Sequence, residues 1–96
     1  MFLKSVSFDS KSPYWMDDQA YIYKFLRMAE RYVNETIRHR GYMYLNQICE
    51  QLGVGWNPED GNACIKNDNV DRIEFVQFET FSQPDNSFLI HIYCYE

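Results

Sequence analysis

Residues 21–41, YIYKFLRMAERYVNETIRHRG, decide the architecture. Ile22, Phe25, Leu26, Ala29, Val33, Thr36 and Ile37 recur at the three- and four-residue spacing that places side chains on one arc of an α-helix. His39-Arg40-Gly41 ends the pattern, because basic side chains suit the negative end of the helix dipole and glycine takes the left-handed turn that stops a helix. Upstream, Ser12-Pro13 offers a cap with proline at the first helical position, and Asp17 and Asp18 offer a second start, so the helix is expected to begin between residues 13 and 18. Tyr21, Met28 and Tyr32 extend the apolar arc along one edge, making it wider than packing on one neighbour requires. Phe25, Leu26, Ala29 and Val33, mid-helix and mid-arc, are expected to centre the buried face and to meet Ile90 and Ile92.

Working outward, Leu45, Ile48, Cys49 and Leu52 repeat at helical spacing and Gly53 stops them, which predicts a second helix of about two turns with Asn46 near its start as a cap. Tyr42-Met43-Tyr44 links the two helices. Residues 54–69 are rich in Gly, Asn, Asp and Pro and read as a surface loop with Trp56 at its root. Ile73 to Phe81 and Phe88 to Tyr95 are β-branched and aromatic, and Gln83 to Ser87 between them has hairpin length. In the second strand Phe88, Ile90, Ile92 and Cys94 share one face, and Leu89, His91, Tyr93 and Tyr95 share the other. In the first, the apolar alternation shifts between Phe75 and Val76, which implies a bulge or burial on both faces. Phe2 to Phe8 is an optional third strand, with Lys4 interrupting its apolar face. The expected fold class is therefore α+β: two helices, then an antiparallel hairpin, in a two-layer sandwich with the long helix across the sheet.

Composition bounds the function. Ninety-six residues allow one domain, spanning 1–96. Eight Tyr, seven Phe and two Trp are more aromatic surface than a core centre takes up, because Tyr and Trp carry polar groups that favour core edges and interfaces. Net charge is −5, split unevenly: residues 1–48 hold seven Lys/Arg against five Asp/Glu, and residues 49–96 two against nine, giving +2 and −7. An acidic total disfavours nucleic acid, whose nonspecific binding depends on Lys and Arg neutralising phosphates. Cys49, Cys64 and Cys94 form no CxxC pair, so reduced thiols in a cytoplasmic protein are expected. No run reaches transmembrane length and residues 1–8 do not form a signal peptide, so no membrane partner is expected.

On the long helix, Lys24, Arg27, Arg31 and Arg38 project opposite the apolar arc, joined by Glu35. Such a run is ordinarily a solvated face with Arg31–Glu35 as an i,i+4 pair; the sharper reading is a docking stripe for an acidic surface or nucleic acid. Neither His39 nor His91 stands at a catalytic spacing from a cysteine. Cys64, beside Lys66, is expected to be the most exposed thiol, and it is nucleophilic only if its pKa is lowered. Glu59, Asp60, Asp68 and Asp71 could supply hard oxygen ligands, but their order does not match an EF-hand loop. Phosphate loops, nucleophile elbows and HExxH pairs are all missing, so no enzymatic activity and no cofactor are expected.

The stretch Ala29-Glu30-Arg31-Tyr32-Val33-Asn34, through Arg40-Gly41-Tyr42-Met43-Tyr44-Leu45-Asn46, to Leu52-Gly53-Val54-Gly55-Trp56 resembles small uncharacterised proteins of phages and integrative mobile elements. The shared pattern is Arg-Gly-aromatic, then Leu-Asn, then Leu-Gly and a Trp after the second helix. It covers the middle third of the chain and implies a fold, not an activity. The expected function is a protein–protein interaction module that binds a protein partner or itself as a homo-oligomer, with Tyr21, Met28, Tyr32, Trp56, Tyr93 and Tyr95 as contact residues. A nucleic-acid-associated regulator using Lys24, Arg27, Arg31 and Arg38 is the alternative.

Overall fold

A computed structural model of the chain describes residues 1–69 and 71–95. In order the elements are β1 (Phe2–Phe8), α1 (Gln19–Arg40), β2 (Tyr42–Tyr44), α2 (Leu45–Leu52), a 3₁₀ turn (Pro58–Asn62), β3 (Cys64–Lys66), β4 (Val76–Ser82) and β5 (Phe88–Cys94). One sheet runs β1-β5-β4 and a second pairs β2 with β3, both antiparallel. The fold is α+β with two helices and antiparallel sheets, and Phe2–Phe8 is the third strand of the hairpin's sheet. Among the described residues no helix is long and apolar enough to cross a membrane.

Asp18 caps α1, its Oδ1 accepting the Tyr21 N–H at 3.2 Å. Ser12 has a different task from the capping expected of it. Its hydroxyl donates to the Leu52 carbonyl at 2.8 Å and accepts the Tyr14 N–H at 3.2 Å, tying the chain ahead of α1 to the end of α2. Gly53, where α2 stops, is required twice over: its φ is +66°, and a Cβ there would lie 2.6 Å from Ser12 Oγ and 2.7 Å from Pro13 Cδ.

The core gathers Ile22, Leu26, Val33 and Ile37 of α1, Ile48 and Leu52 of α2, and Phe8, Phe88, Ile90 and Ile92 of the sheet, all buried. Phe25 is a correction to the expected centre. It is half-buried, stacking on Phe8 at 5.7 Å and on Tyr14 at 5.3 Å, because the chain ahead of α1 folds back along that side of the helix. The helix phase is otherwise as expected, with Leu26, Ala29 and Val33 buried.

β4 is an edge strand, and its outward backbone groups need partners. Two α1 side chains supply them at one end. Asn34 Oδ1 accepts the N–H groups of Phe75 and Val76 at 2.6 and 2.9 Å, and Asn34 Nδ2 donates to the Val76 carbonyl at 3.0 Å. Glu30 accepts the Phe78 N–H at 2.7 Å. Here the shift in apolar alternation finds its cause: Phe75 and Val76 are both buried where the strand begins, while Ile73 is exposed. β4 itself pairs in even register with β5; the irregularity lies in β1, between Phe2 and Lys4.

Residues 54–69, expected to be a surface loop, contain the 3₁₀ turn and β3, which pairs Ile65 with Met43 and so makes the inter-helix link a strand. Asp60 turns inward from this segment, against the expectation of a surface loop. It is buried, ion-paired with Lys4 of β1, and accepts the Asn57 N–H at 2.9 Å. Tyr44, not Asn46, is the N-cap residue of α2; Gln47 Oε1 accepts the Tyr44 N–H at 3.0 Å and a bond from Arg40 at 2.8 Å. Asn46 sits inside the helix, with its Oδ1 buried and without a hydrogen-bond partner among the described residues.

Candidate interaction surface

β5 alternates strictly. Phe88, Ile90 and Ile92 point into the core, so Leu89, His91 and Tyr93 stand on the opposite face. Register extends that face across the sheet in three rows: Phe2, Tyr93 and Gln77; Ser5, His91 and Glu79; Ser7, Leu89 and Phe81. His91 is the centre of an aromatic cluster. Its ring lies 5.6 Å from Phe2, 5.1 Å from Phe81 and 6.3 Å from Tyr93, and Phe2 meets Tyr93 at 5.6 Å. Phe2 is 52% and Phe81 40% exposed, so this cluster borders solvent. Glu79 is the one acidic and His91 the one basic side chain in the three rows. A shallow hollow of about 440 Å³ bounded by Gln77, Glu79, Tyr93 and Tyr95 lies at one end of the face, and one of about 420 Å³ bounded by Ser7, Pro84 and Leu89 at the other.

The sequence-derived contact residues fall in separate places. Tyr93 belongs to the outer sheet face, and Tyr95 follows β5 with its ring 6.0 Å from the Arg72 guanidinium. Burial, with help from Glu74 and Glu30, pushes the Tyr95 phenol up. Tyr21, Met28 and Tyr32 are exposed on α1, and Trp56 is exposed after α2. The basic residues Lys24, Arg27, Arg31 and Arg38 are also exposed along α1. Arg27 stands 3.8 Å from Glu30 and Arg31 3.4 Å from Glu35, with the arginine side chains 76% and 82% exposed, so these pairs contribute little to stability. Sequence reasoning missed Phe2 and Phe81 as contact candidates, because only the strand register puts them beside His91.

The groups that could carry chemistry are dispersed. Burial pushes the Cys49 thiol up to about 11, against the lowering effect of nearby Lys4. Burial acts to raise the Asp60 carboxyl, but the hydrogen bonds from Lys4 and from the Asn57 N–H, with the Lys4 charge, outweigh it and hold the group low. Asp85 is held low by the Ser87 hydroxyl and N–H in the β4–β5 turn. Cys64 and Cys94, both half-buried, border one cleft of about 230 Å³ with Lys66 and Arg72. Asp68 pairs with Arg72 at 3.5 Å, and among the described residues no three His, Cys, Asp or Glu side chains gather closely enough to hold a metal. No family model, curated protein or solved structure matches this chain.

Proposed function

We propose that this chain is a non-enzymatic protein–protein interaction module able to self-associate, with α1 and the three-stranded sheet stacked as two layers and the contact surface on the sheet's outer face. The observation that carries this reading is the cluster of Phe2, Phe81 and Tyr93 around His91 on the face turned away from the buried residues of β5. Aromatic rings supply large contact area at low entropic cost, and tyrosine and histidine add a polar handle that fixes orientation. The perturbed groups support the non-enzymatic part. Cys49 and Asp60 belong to the surroundings of Lys4, Asp85 to a turn and Tyr95 to the end of the sheet, so they do not converge on one cleft as a catalytic set does.

A second reading, a nucleic-acid-associated regulator, rests on the exposure of Arg27 and Arg31 on α1. The excess of acidic residues weighs against it. Photo-crosslinking separates the two. A photoreactive residue at Phe81 in the full chain, activated in its own cells, should give adducts with protein, including the chain itself. Adducts with nucleic acid from a probe at Arg31, and none from Phe81, would replace the first reading by the second.

A further inference from the structure

The outer sheet face carries more than an aromatic cluster, because its residues are complementary to their own neighbours. Three cross-strand pairs line β4 and β5: Gln77 opposite Tyr93, Glu79 opposite His91, and Phe81 opposite Leu89. Each pair joins complementary partners: amide with phenol, carboxylate with imidazole, and phenyl with isobutyl. A two-fold axis parallel to the strands and passing between β4 and β5 would bring each residue over the partner-copy counterpart of its own cross-strand neighbour. Every β5 residue then faces the β4 residue it already matches, and each contact occurs twice, as an isologous interface demands.

We propose that two copies of this chain pair face to face through β4 and β5 about that axis, so that His91 of one copy meets Glu79 of the other. The proposal rests on the reading of the chain as a self-associating interaction module and specifies its partner. Charge favours this face over the rest of the surface. A chain of net charge −5 repels its own copies, and α1 turns a basic row outward that would repel its twin. The three rows of the sheet face instead hold a single carboxylate and an imidazole whose N–H can donate to it across the axis. Phe2, beyond the axis on β1, then overhangs the β4 edge of the partner. The two overlapping strands of seven residues project roughly 10 by 24 Å. That is well under the roughly 800 Å² per partner of a standard interface, so the dimer should be weak, with a Kd on the order of 100 µM.

Sedimentation equilibrium of the full chain, from about 10 µM to about 1 mM to bracket that value, tests the proposal. The mass should rise from monomer toward dimer. His91→Glu, which sets carboxylate against carboxylate, should weaken the dimer by about ten-fold or more, as should Glu79→Arg at its exposed position. Glu79→Lys combined with His91→Glu, which reverses the pair, should return Kd to within about three-fold of the original. A chain that stays monomeric throughout overturns the proposal. So does a dimer indifferent to these substitutions but weakened by Tyr32→Glu, which would move self-association to α1 and leave the broader interaction reading standing. Circular dichroism of each variant identifies any that fail to fold; should His91→Glu do so, Glu79→Arg decides.

Discussion

Replacing Asn34 by alanine removes a side chain that holds four hydrogen bonds at once: from the Phe75 and Val76 N–H groups, and to the Val76 and Glu30 carbonyls. Phe75 and Val76 are each 1% exposed, so water cannot easily replace the lost partner. A buried backbone group left without a partner costs about 1–3 kcal/mol, and these penalties overlap when they share one site. For two N–H groups and one carbonyl the loss should be about 3–5 kcal/mol, a large share of the roughly 5–15 kcal/mol of a native domain. Urea unfolding followed by circular dichroism measures it. Asn34→Leu, which keeps the volume and removes only the polar atoms, should cost nearly as much, and amide exchange at Phe75 and Val76 should accelerate in both variants. If Asn34→Leu lost less than about 1 kcal/mol, burial and not hydrogen bonding would hold β4 to α1, and the edge-capping role would fall.

Three further outcomes are expected. Gly53→Ala should destabilise far more than Gly41→Ala: both residues have positive φ, but a Cβ at Gly53 collides with Ser12 and Pro13 while one at Gly41 meets nothing within 4 Å, and equal melting temperatures would remove the close approach. Leu26→Ala should cost about 2–5 kcal/mol, half-buried Phe25→Ala less, and Arg27→Ala about half a kcal/mol; chemical denaturation ranks them, and Arg27→Ala as the most damaging would invert the helix phase. The lowered Asp60 carboxyl stabilises the fold while ionised, so its contribution is present above the ordinary carboxylate range and lost as pH falls through the folded-state pKa. Stability curves of the original chain and Asp60→Asn should therefore converge on acidification, and a gap that stays constant would show that the Lys4 pair contributes nothing.

What the sequence reveals is what local chemistry decides. Gly41 and Gly53 stop their helices because left-handed turns are settled by neighbouring residues, and the alternation of Phe88 to Tyr93 is legible because a strand repeats every two residues. Asn34 looks like any polar helix residue until Val76, 42 positions away, is placed against it. Lys4 interrupts an apolar face in the sequence and turns out to pair with Asp60, 56 positions on. Phe25 fits the apolar spacing as well as Leu26 does; only the path of the chain through Tyr14 moves it to the side of the core. On the candidate surface Tyr93 could be picked out from its strand alone. Phe2 could not, because its place beside His91 depends on pairing between β1 and β5, at opposite ends of the chain, and Phe81 could not, because its place depends on the exact register of the β4–β5 hairpin.

We propose the outer face of β4 and β5 as the contact surface. A concentration series of amide NMR spectra on the full chain tests it most directly, over the range that brackets a Kd on the order of 100 µM. Shifts that grow with concentration are expected at Gln77, Glu79, Phe81, Leu89, His91 and Tyr93, with α1 unmoved. Shifts centred on Tyr21, Met28 and Tyr32, or spectra that do not change at all, would contradict it.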